Sequence, residues 1–124
     1  IALHLVNSGF SSGDLSYTYT MTGVIQQLID VIEQVYGLTL DPASVSVGRF
    51  VTHLRYLFVR VHQHSQLADE HSSIGVAIRS NYPDAYECAA RLAGVLELRL
   101  GVPLTEDEVS YLTLHVARVA SEAA

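Results

Sequence analysis

The sequence predicts an all-α fold, a bundle of five helices. Apolar residues recur at helical spacing in every long segment, and no segment shows the sustained alternation that is typical of a strand. Helix boundaries are indicated by Gly37, Pro83 and Gly101, residue types that favour helix ends or first turns. The chain has 124 residues, of which 49% are hydrophobic. This is enough for a domain with one hydrophobic core.

The first helix is predicted over residues 22–36, with Gly37 as its C-terminal cap. Its apolar residues fall on one stripe: Ile25, Leu28, Ile29, Ile32, Val35 and Tyr36. The preceding residues 8–21 are rich in Ser, Gly, Thr and Tyr. That composition predicts a linker between two domains.

The second helix is predicted from Asp41 to about His64, with Asp41 as the N-cap and Pro42 in the first turn. Gly48 weakens the first turns, which leaves a later start open. Its inward stripe consists of Phe50, Leu54, Leu57, Phe58 and Val61. Residues 65–72 are polar and predict a loop. A short third helix is predicted over residues 73–80.

The fourth helix is predicted to begin at Pro83 and to end before Gly101. Its predicted inward residues are Tyr86, Ala89, Ala90, Leu92, Ala93, Leu96 and Leu100. Thr105 and Glu108 have the spacing of a capping box and predict the start of the fifth helix. That helix carries Val109, Leu112, Val116 and Val119 on its apolar face.

Composition and charge exclude several classes of function. All seven basic residues are Arg, and the net charge is −6, so we expect no direct contact with nucleic acid. No apolar run approaches the roughly 18 residues that span a bilayer, and the opening segment lacks the pattern of a signal peptide. Cys88 is the only cysteine, which excludes an internal disulfide and fits a reducing compartment such as the cytoplasm. It is predicted to be a small packing residue.

Two of the six histidines have arginines within reach on a helix. His53 has Arg49 one turn before it and Arg60 two turns after it, and His115 has Arg118 one turn after it. A guanidinium offers a planar fork for phosphate oxygens, and a neutral imidazole can accept a phosphoryl group. The pattern therefore indicates an anion or phosphoryl site. The alternative is that both are core histidines with ordinary hydrogen-bond partners.

The remaining histidines and the other motifs give no further chemistry. His62 and His64 are two residues apart and point to different helix faces, so with His71 they are interpreted as a solvated helix end rather than a metal site. The sequence contains no glycine-rich phosphate loop, no H-E-x-x-H motif and no nucleophile elbow. We therefore expect no enzyme activity, no metal and no cofactor.

A short histidine motif occurs twice. Residues 1–7 (IALHLVN) and residues 112–118 (LTLHVAR) share an apolar frame around His4 and His115, which are 111 residues apart. The first residue is Ile rather than Met, which predicts a piece of a longer protein. The repeat suggests a tandem domain of which residues 1–7 are the end of the first copy. A chance match between two apolar helical segments is the alternative.

Three longer motifs resemble parts of a known regulatory domain and occur in the same order. Residues 49–60 (RFVTHLRYLFVR) and 105–118 (TEDEVSYLTLHVAR) are similar to the first and second histidine motifs of the phosphotransferase-system regulation domain. Residues 82–89 (YPDAYECA) resemble the start of its long helix. The likeness covers nearly the whole chain, and residues 1–7 resemble the end of a preceding copy. The chain resembles the second such domain of BglG/LicT-type transcriptional antiterminators.

The resemblance implies a role for each histidine motif. It implies that His53 and His115 are phosphoacceptors within a domain spanning residues 22–124, and that His4 is left over from the first domain. The expected donors are HPr, a sugar-specific enzyme II, or both. In that family a separate N-terminal module binds RNA, and phosphorylation of the two regulation domains controls dimerisation. We therefore expect this chain to form a homodimer.

The phosphoryl group would need positive charge in an acidic domain. Four arginines are the candidates for that role: Arg49, Arg55, Arg60 and Arg118. Three other interpretations remain at this point. The same domain occurs in DNA-binding activators of sugar operons, the histidines could be vestigial in a structural dimerisation module, or the cluster could bind an anion without covalent transfer.

Overall fold

A computed structural model describes the backbone of residues 12–66 and 72–123. Within these ranges the chain forms five helices and no strand, which confirms the predicted all-α class. The helices are α1 (Ser12–Tyr36), α2 (Val45–His62), α3 (Ser72–Asn81), α4 (Pro83–Leu100) and α5 (Glu106–Ala123). The predicted remnant with His4 lies outside the described residues, and so does His71.

Helix α1 begins ten residues before the predicted boundary at residue 22. The linker predicted over residues 8–21 is therefore helical from Ser12 onward. Val24 is fully buried and Met21 packs partly buried against the core, so the inward stripe extends further towards the N-terminus than predicted. No proline interrupts this segment, and its Ser, Thr and Tyr residues oppose a helix only weakly.

Helix α2 begins at Val45 rather than Asp41. Ser44 is the N-cap, and its hydroxyl accepts a hydrogen bond from the Val47 amide at 3.2 Å. The carboxylate of Asp41 instead accepts from the Ala43 amide at 2.9 Å, which closes a local turn ahead of the helix. The helix ends at His62, two residues earlier than predicted. All five residues of its predicted inward stripe are buried.

The boundaries of α4 and α5 agree with the prediction. Pro83 occupies the first turn of α4, and Gly101 caps its end with a left-handed φ of 77° that glycine adopts without strain. At the start of α5 the capping box is formed in both directions. The Thr105 amide donates to Glu108 Oε1 at 2.9 Å, and the Glu108 amide donates to Thr105 Oγ1 at 3.2 Å.

The hydrophobic core lies between α1, α2, α4 and α5. Its fully buried large side chains include Leu28, Ile32, Phe50, Phe58, Leu92, Leu96, Leu112 and Val116. On α4 the predicted inward residue Ala90 is exposed, whereas Ala85 and Cys88 are buried. Burial raises the pKa of the Cys88 thiol, in keeping with its predicted role as a packing residue.

Helix α3 lies against α5 at a glycine. A Cβ atom at Gly75 would be 3.0 Å from the hydroxyl oxygen of Ser110, which is itself buried. This close approach holds the short α3 on the opposite side of α5 from much of the core. None of the described helices combines the length and the apolar content that a transmembrane segment requires.

Candidate functional site

The structure brings together the two histidines that the sequence singled out. His53 projects from the middle of α2 and His115 from the middle of α5, and the centroids of their rings are 4.5 Å apart with the planes tilted by 30°. Tyr111, one turn before His115, has its ring centroid 6.3 Å from that of His53. The ring centroid of the fully buried Phe50 lies 6.3 Å from that of His115, so the pair borders the hydrophobic core.

The histidine pair lies at the bottom of an open groove of about 550 Å³. Its lining residues come from α2 together with the second histidine: Val45, Gly48, Arg49, Thr52, His53, Tyr56 and His115. Gly48 leaves space for approach to the rings, and Val45 and Tyr56 form exposed apolar walls. Both histidines are half-buried, so the groove gives solvent and a partner access to them.

Both imidazoles are held in the neutral form. Burial lowers the pKa of His53 to about 4, with smaller contributions from the positive charge of a protonated His115 and from Arg60. Burial also lowers the pKa of His115, assisted by Arg118 and Arg49. Near pH 7 each ring therefore keeps a lone pair on one nitrogen. A neutral imidazole is the nucleophilic form.

Three of the four candidate arginines lie near the pair. Arg49 and Arg118 are exposed and act on His115, whereas Arg60 is half-buried and acts on His53. Arg55 is exposed and is not among the residues that line the groove. Two residues along a helix correspond to about 200° of rotation, which turns Arg55 away from His53. The structure therefore does not place Arg55 at the site.

The exposed histidines lie apart from the pair. His62 and His64 are at the solvated end of α2, and His64 has a left-handed φ of 57° beyond the last turn. Among the described residues no group of three or more His, Cys, Asp or Glu side chains is close enough to hold a metal ion.

Two glutamates on α5 form hydrogen bonds to α2 or to the residues after it, which the sequence did not predict. Glu108 was noted only as a capping residue, yet its side chain is completely buried and accepts a hydrogen bond from Gln66. Glu122, near the other end of α5, accepts a hydrogen bond from the buried Ser46 hydroxyl of α2. The available signal was spacing, because Glu108, His115 and Glu122 follow each other at intervals of seven residues.

The arrangement can accept a transferable electrophile. Two neutral imidazoles share one groove, and arginines border both the exposed and the buried side of the pair. Such a site supplies a nucleophilic nitrogen and positive charge for an anionic group attached to it.

Comparison with known sequences identifies the family to which this chain belongs. The family described as "PRD domain" matches residues 26–119, which contain both histidines, all of α2 and α4, and parts of α1 and α5. The chain belongs to this family. The match confirms the resemblance drawn from the histidine motifs.

Three of the relatives are named as antiterminators. The chain is 30% identical over 122 residues to the beta-glucoside operon antiterminator of Dickeya chrysanthemi, covering 98% of the chain and 43% of that protein. It is 28% identical to the transcription antiterminator LicT of Bacillus subtilis, covering 99% and 44%, and 29% identical to the PtsGHI operon antiterminator of the same species, covering 98% and 43%. The chain thus spans less than half the length of these relatives.

Proposed function

We propose that this chain is the regulatory domain of a bacterial transcriptional antiterminator, and that it is controlled by phosphorylation of His53 and His115. The observation that carries the proposal is the pair of neutral imidazoles 4.5 Å apart in an open groove. The relatives named as antiterminators support a role in the control of transcription antitermination. HPr, a sugar-specific enzyme II, or both would supply the phosphoryl group in the cytoplasm, and RNA would be bound by another part of the full-length protein.

The chemistry is a transfer between two imidazoles. The lone pair of His53 or His115 attacks the phosphorus of a phosphohistidine on the donor, and the phosphorus–nitrogen bond of the donor breaks. The electron pair returns to the donor nitrogen. The acceptor ring gives up a proton and the donor ring takes one up, so charge is conserved. The low pKa of His53 keeps its nitrogen available for this attack at neutral pH.

The product would change the charge of the groove. A phosphoryl group adds roughly two negative charges and several strong acceptor oxygens. Arg49 and Arg118 are exposed at the rim, where they can contact the phosphoryl group directly. We propose that this change alters how two copies of the domain pack, since the groove walls formed by Val45 and Tyr56 are apolar and exposed. The domain itself then acts as a switch and not as an enzyme.

The test is phosphoryl transfer. The chain is incubated with phosphoenolpyruvate, enzyme I and HPr, and acid-labile phosphate is mapped by mass spectrometry. We expect label at His53, His115 or both, and its loss in the His53→Ala, His115→Ala double variant. His62→Ala is the matched control, because it removes an exposed histidine from the same helix.

Two results would count against the proposal. Undiminished labelling of the double variant would contradict the site assignment. An absence of label with active HPr and also with the purified enzyme II domains would contradict phosphorylation control itself, and would favour a domain that only dimerises. Binding of free phosphate in the groove without any transfer would instead favour an anion sensor.

A further inference from the structure

The interface of α2 and α5 contains polar pairs at regular spacing. Ser46 donates a hydrogen bond to Glu122, and His53 lies against His115. The helices are antiparallel, so seven residues forward along α2 correspond to seven residues back along α5. Seven residues are two helical turns, about 10.5 Å. The same step from the histidine pair leads to Arg60 on α2 and Glu108 on α5. We call these three levels the polar seam.

The third level of the seam contains opposite charges without direct contact. Glu108 is 0% exposed, and its Oε1 accepts from the Thr105 amide and the Gln66 side chain, both at 2.9 Å. Its Oε2 is buried and has no hydrogen-bond partner among the described residues. On Arg60, Nε and Nη2 are buried and equally without a partner in that part of the chain. Buried charges without partners are strongly unfavourable, so each of these groups favours a nearby opposite charge.

Arg60 can bind an anion through the atoms that lack a partner among the described residues. Nε and Nη2 are the two donors on one side of the guanidinium, and together they make the fork that binds a carboxylate or a phosphate with two parallel hydrogen bonds. The positive charge of Arg60 already acts on His53, and the Nε2 atom of His53 is itself buried without a partner in the described chain. Arg60 thus lies within electrostatic reach of the histidine and at the level of Glu108.

We propose that the Nε/Nη2 fork of Arg60 binds a negatively charged group at His53 when one is present. In its absence the fork interacts with the carboxylate of Glu108. The inference rests on the proposed function, because a phosphoryl group is the charge that His53 would acquire. In the unphosphorylated domain, the carboxylate of Glu108 attracts the fork of Arg60. In the phosphorylated domain, the doubly charged phosphoryl group competes for the fork and draws Arg60 towards His53. Glu108 is then a positioning residue and does not contact the transferred group.

This exchange would link the histidine to two chain connections. Glu108 forms the capping box of α5, and the Gln66 amide that binds it also donates to the Pro103 carbonyl at 3.0 Å. Gln66 follows α2, and Pro103 precedes α5. When the guanidinium of Arg60 moves away from Glu108, the buried carboxylate keeps only neutral hydrogen-bond donors. The first turn of α5 and the residues after α2 are therefore where a charge at His53 would have its second effect.

The first experiment compares His53→Asp with His53→Asn, which differ in charge and hardly in shape. The Nε–H signal of Arg60 is observed by nitrogen-15 NMR at pH 7 in the whole chain. We expect this signal to differ between the two variants, with the Nε–H of Arg55 unchanged as the internal control. Identical Arg60 signals in the two variants would overturn the inference.

The second experiment measures the coupling through stability. When Arg60 is present, the His53→Asp variant should melt at a temperature roughly 4 °C higher than the His53→Asn variant. In the Arg60→Gln background, the His53→Asp variant should melt at the lower temperature of the two. Arg55→Gln is the matched control, and Glu108→Gln should enlarge the increase because the fork then has one acidic partner. Equal shifts in the Arg60→Gln and Arg55→Gln backgrounds would show that Arg60 does not read the charge.

Neither experiment needs a phosphoryl donor. If HPr and enzyme II both fail to label the chain while the Arg60 signal responds to His53→Asp, the proposed function is wrong. The response of Arg60 to a negative charge at position 53 then still holds. If labelling succeeds and Arg60 does not respond, the proposed function stands and the exchange between His53 and Glu108 is wrong.

Discussion

Two sides of helix α5 differ in what they bury. One side places Leu112, Val116 and Val119 in the apolar core, with almost no exposed area. The other side carries Glu108 and His115 to the interface with α2, where several polar atoms are buried without partners in the described chain. The apolar side favours one packing, because any displacement exposes hydrocarbon. On the polar side, a single added charge, such as a phosphoryl group on a histidine, would change the electrostatic interactions between α2 and α5.

The comparison shows how a small bundle can be stable and responsive along a single helix. Apolar contacts contribute most of the free energy of folding. Buried polar groups contribute less to stability and more to the dependence of structure on charge. Changes on the two sides should therefore have different consequences, which the following predictions test in order of size.

The largest effect is expected on the apolar side. Leu112→Ala removes a fully buried side chain and should lower the free energy of unfolding by about 2–5 kcal/mol. Leu98→Ala is the matched control, because Leu98 is 84% exposed and its replacement should change stability by no more than about 0.5 kcal/mol. Urea titration followed by circular dichroism measures both. Similar losses in the two variants would contradict the assigned core.

The histidine pair should give a pH dependence of intermediate size. The pKa of His53 is 6.5 in the unfolded chain and about 4 in the folded one, so the unfolded state binds more protons between these values. The free energy of unfolding should therefore fall as the pH is lowered from 6.5 to 4, and the contribution of this group should level off below 4. After allowance for solvent screening of the half-buried ring, we expect about 2 kcal/mol.

The control for this pH dependence is His53→Asn, which removes the titrating ring. The lowered pKa of His115 adds a contribution of the same sign that the variant retains. Carboxylates titrate in both chains, so the difference between the two stability curves isolates His53. Parallel curves between pH 6.5 and 4 would show that the ring is not held neutral by the fold.

The smallest effect is expected at the capping box. Thr105→Ala removes the acceptor for the Glu108 amide and should lower the free energy of unfolding by about 1 kcal/mol. Thr39→Ala, an exposed threonine outside the helices, should change little. Thermal melts of both variants make the measurement. A loss much larger than that expected for a cap would indicate that Thr105 also supports the buried carboxylate of Glu108.

The sequence predicted most of the fold because its helix signals are local. Pro83, Gly101 and the Thr105–Glu108 spacing act within one or two turns, and each boundary they predict is where the structure places it. The predicted beginning of α1 was wrong, because tertiary packing extends this helix through a polar segment. The predicted N-cap of α2 was also wrong, because the Asp41 carboxylate closes a local turn and Ser44 caps the helix instead.

The candidate site was only partly predictable, because it depends on contacts between helices. Spacing along α2 correctly associated Arg60 with His53, and it should have excluded Arg55, which points elsewhere. The proximity of His53 to His115 depends on the packing of α2 against α5, which the periodicity of neither helix predicts. The burial of Glu108 depends on the register of α2 against α5, which neither helix determines on its own.

The seven-residue spacing of the polar seam also limits how the two helices can move. A slide of one turn, about 5.4 Å, would set Arg60 against Leu112 and His53 against Val119. A guanidinium and an imidazole would then lose their polar neighbours and face hydrocarbon at the same moment. The spacing of the polar seam therefore opposes sliding of α2 along α5, in addition to the resistance of the apolar core.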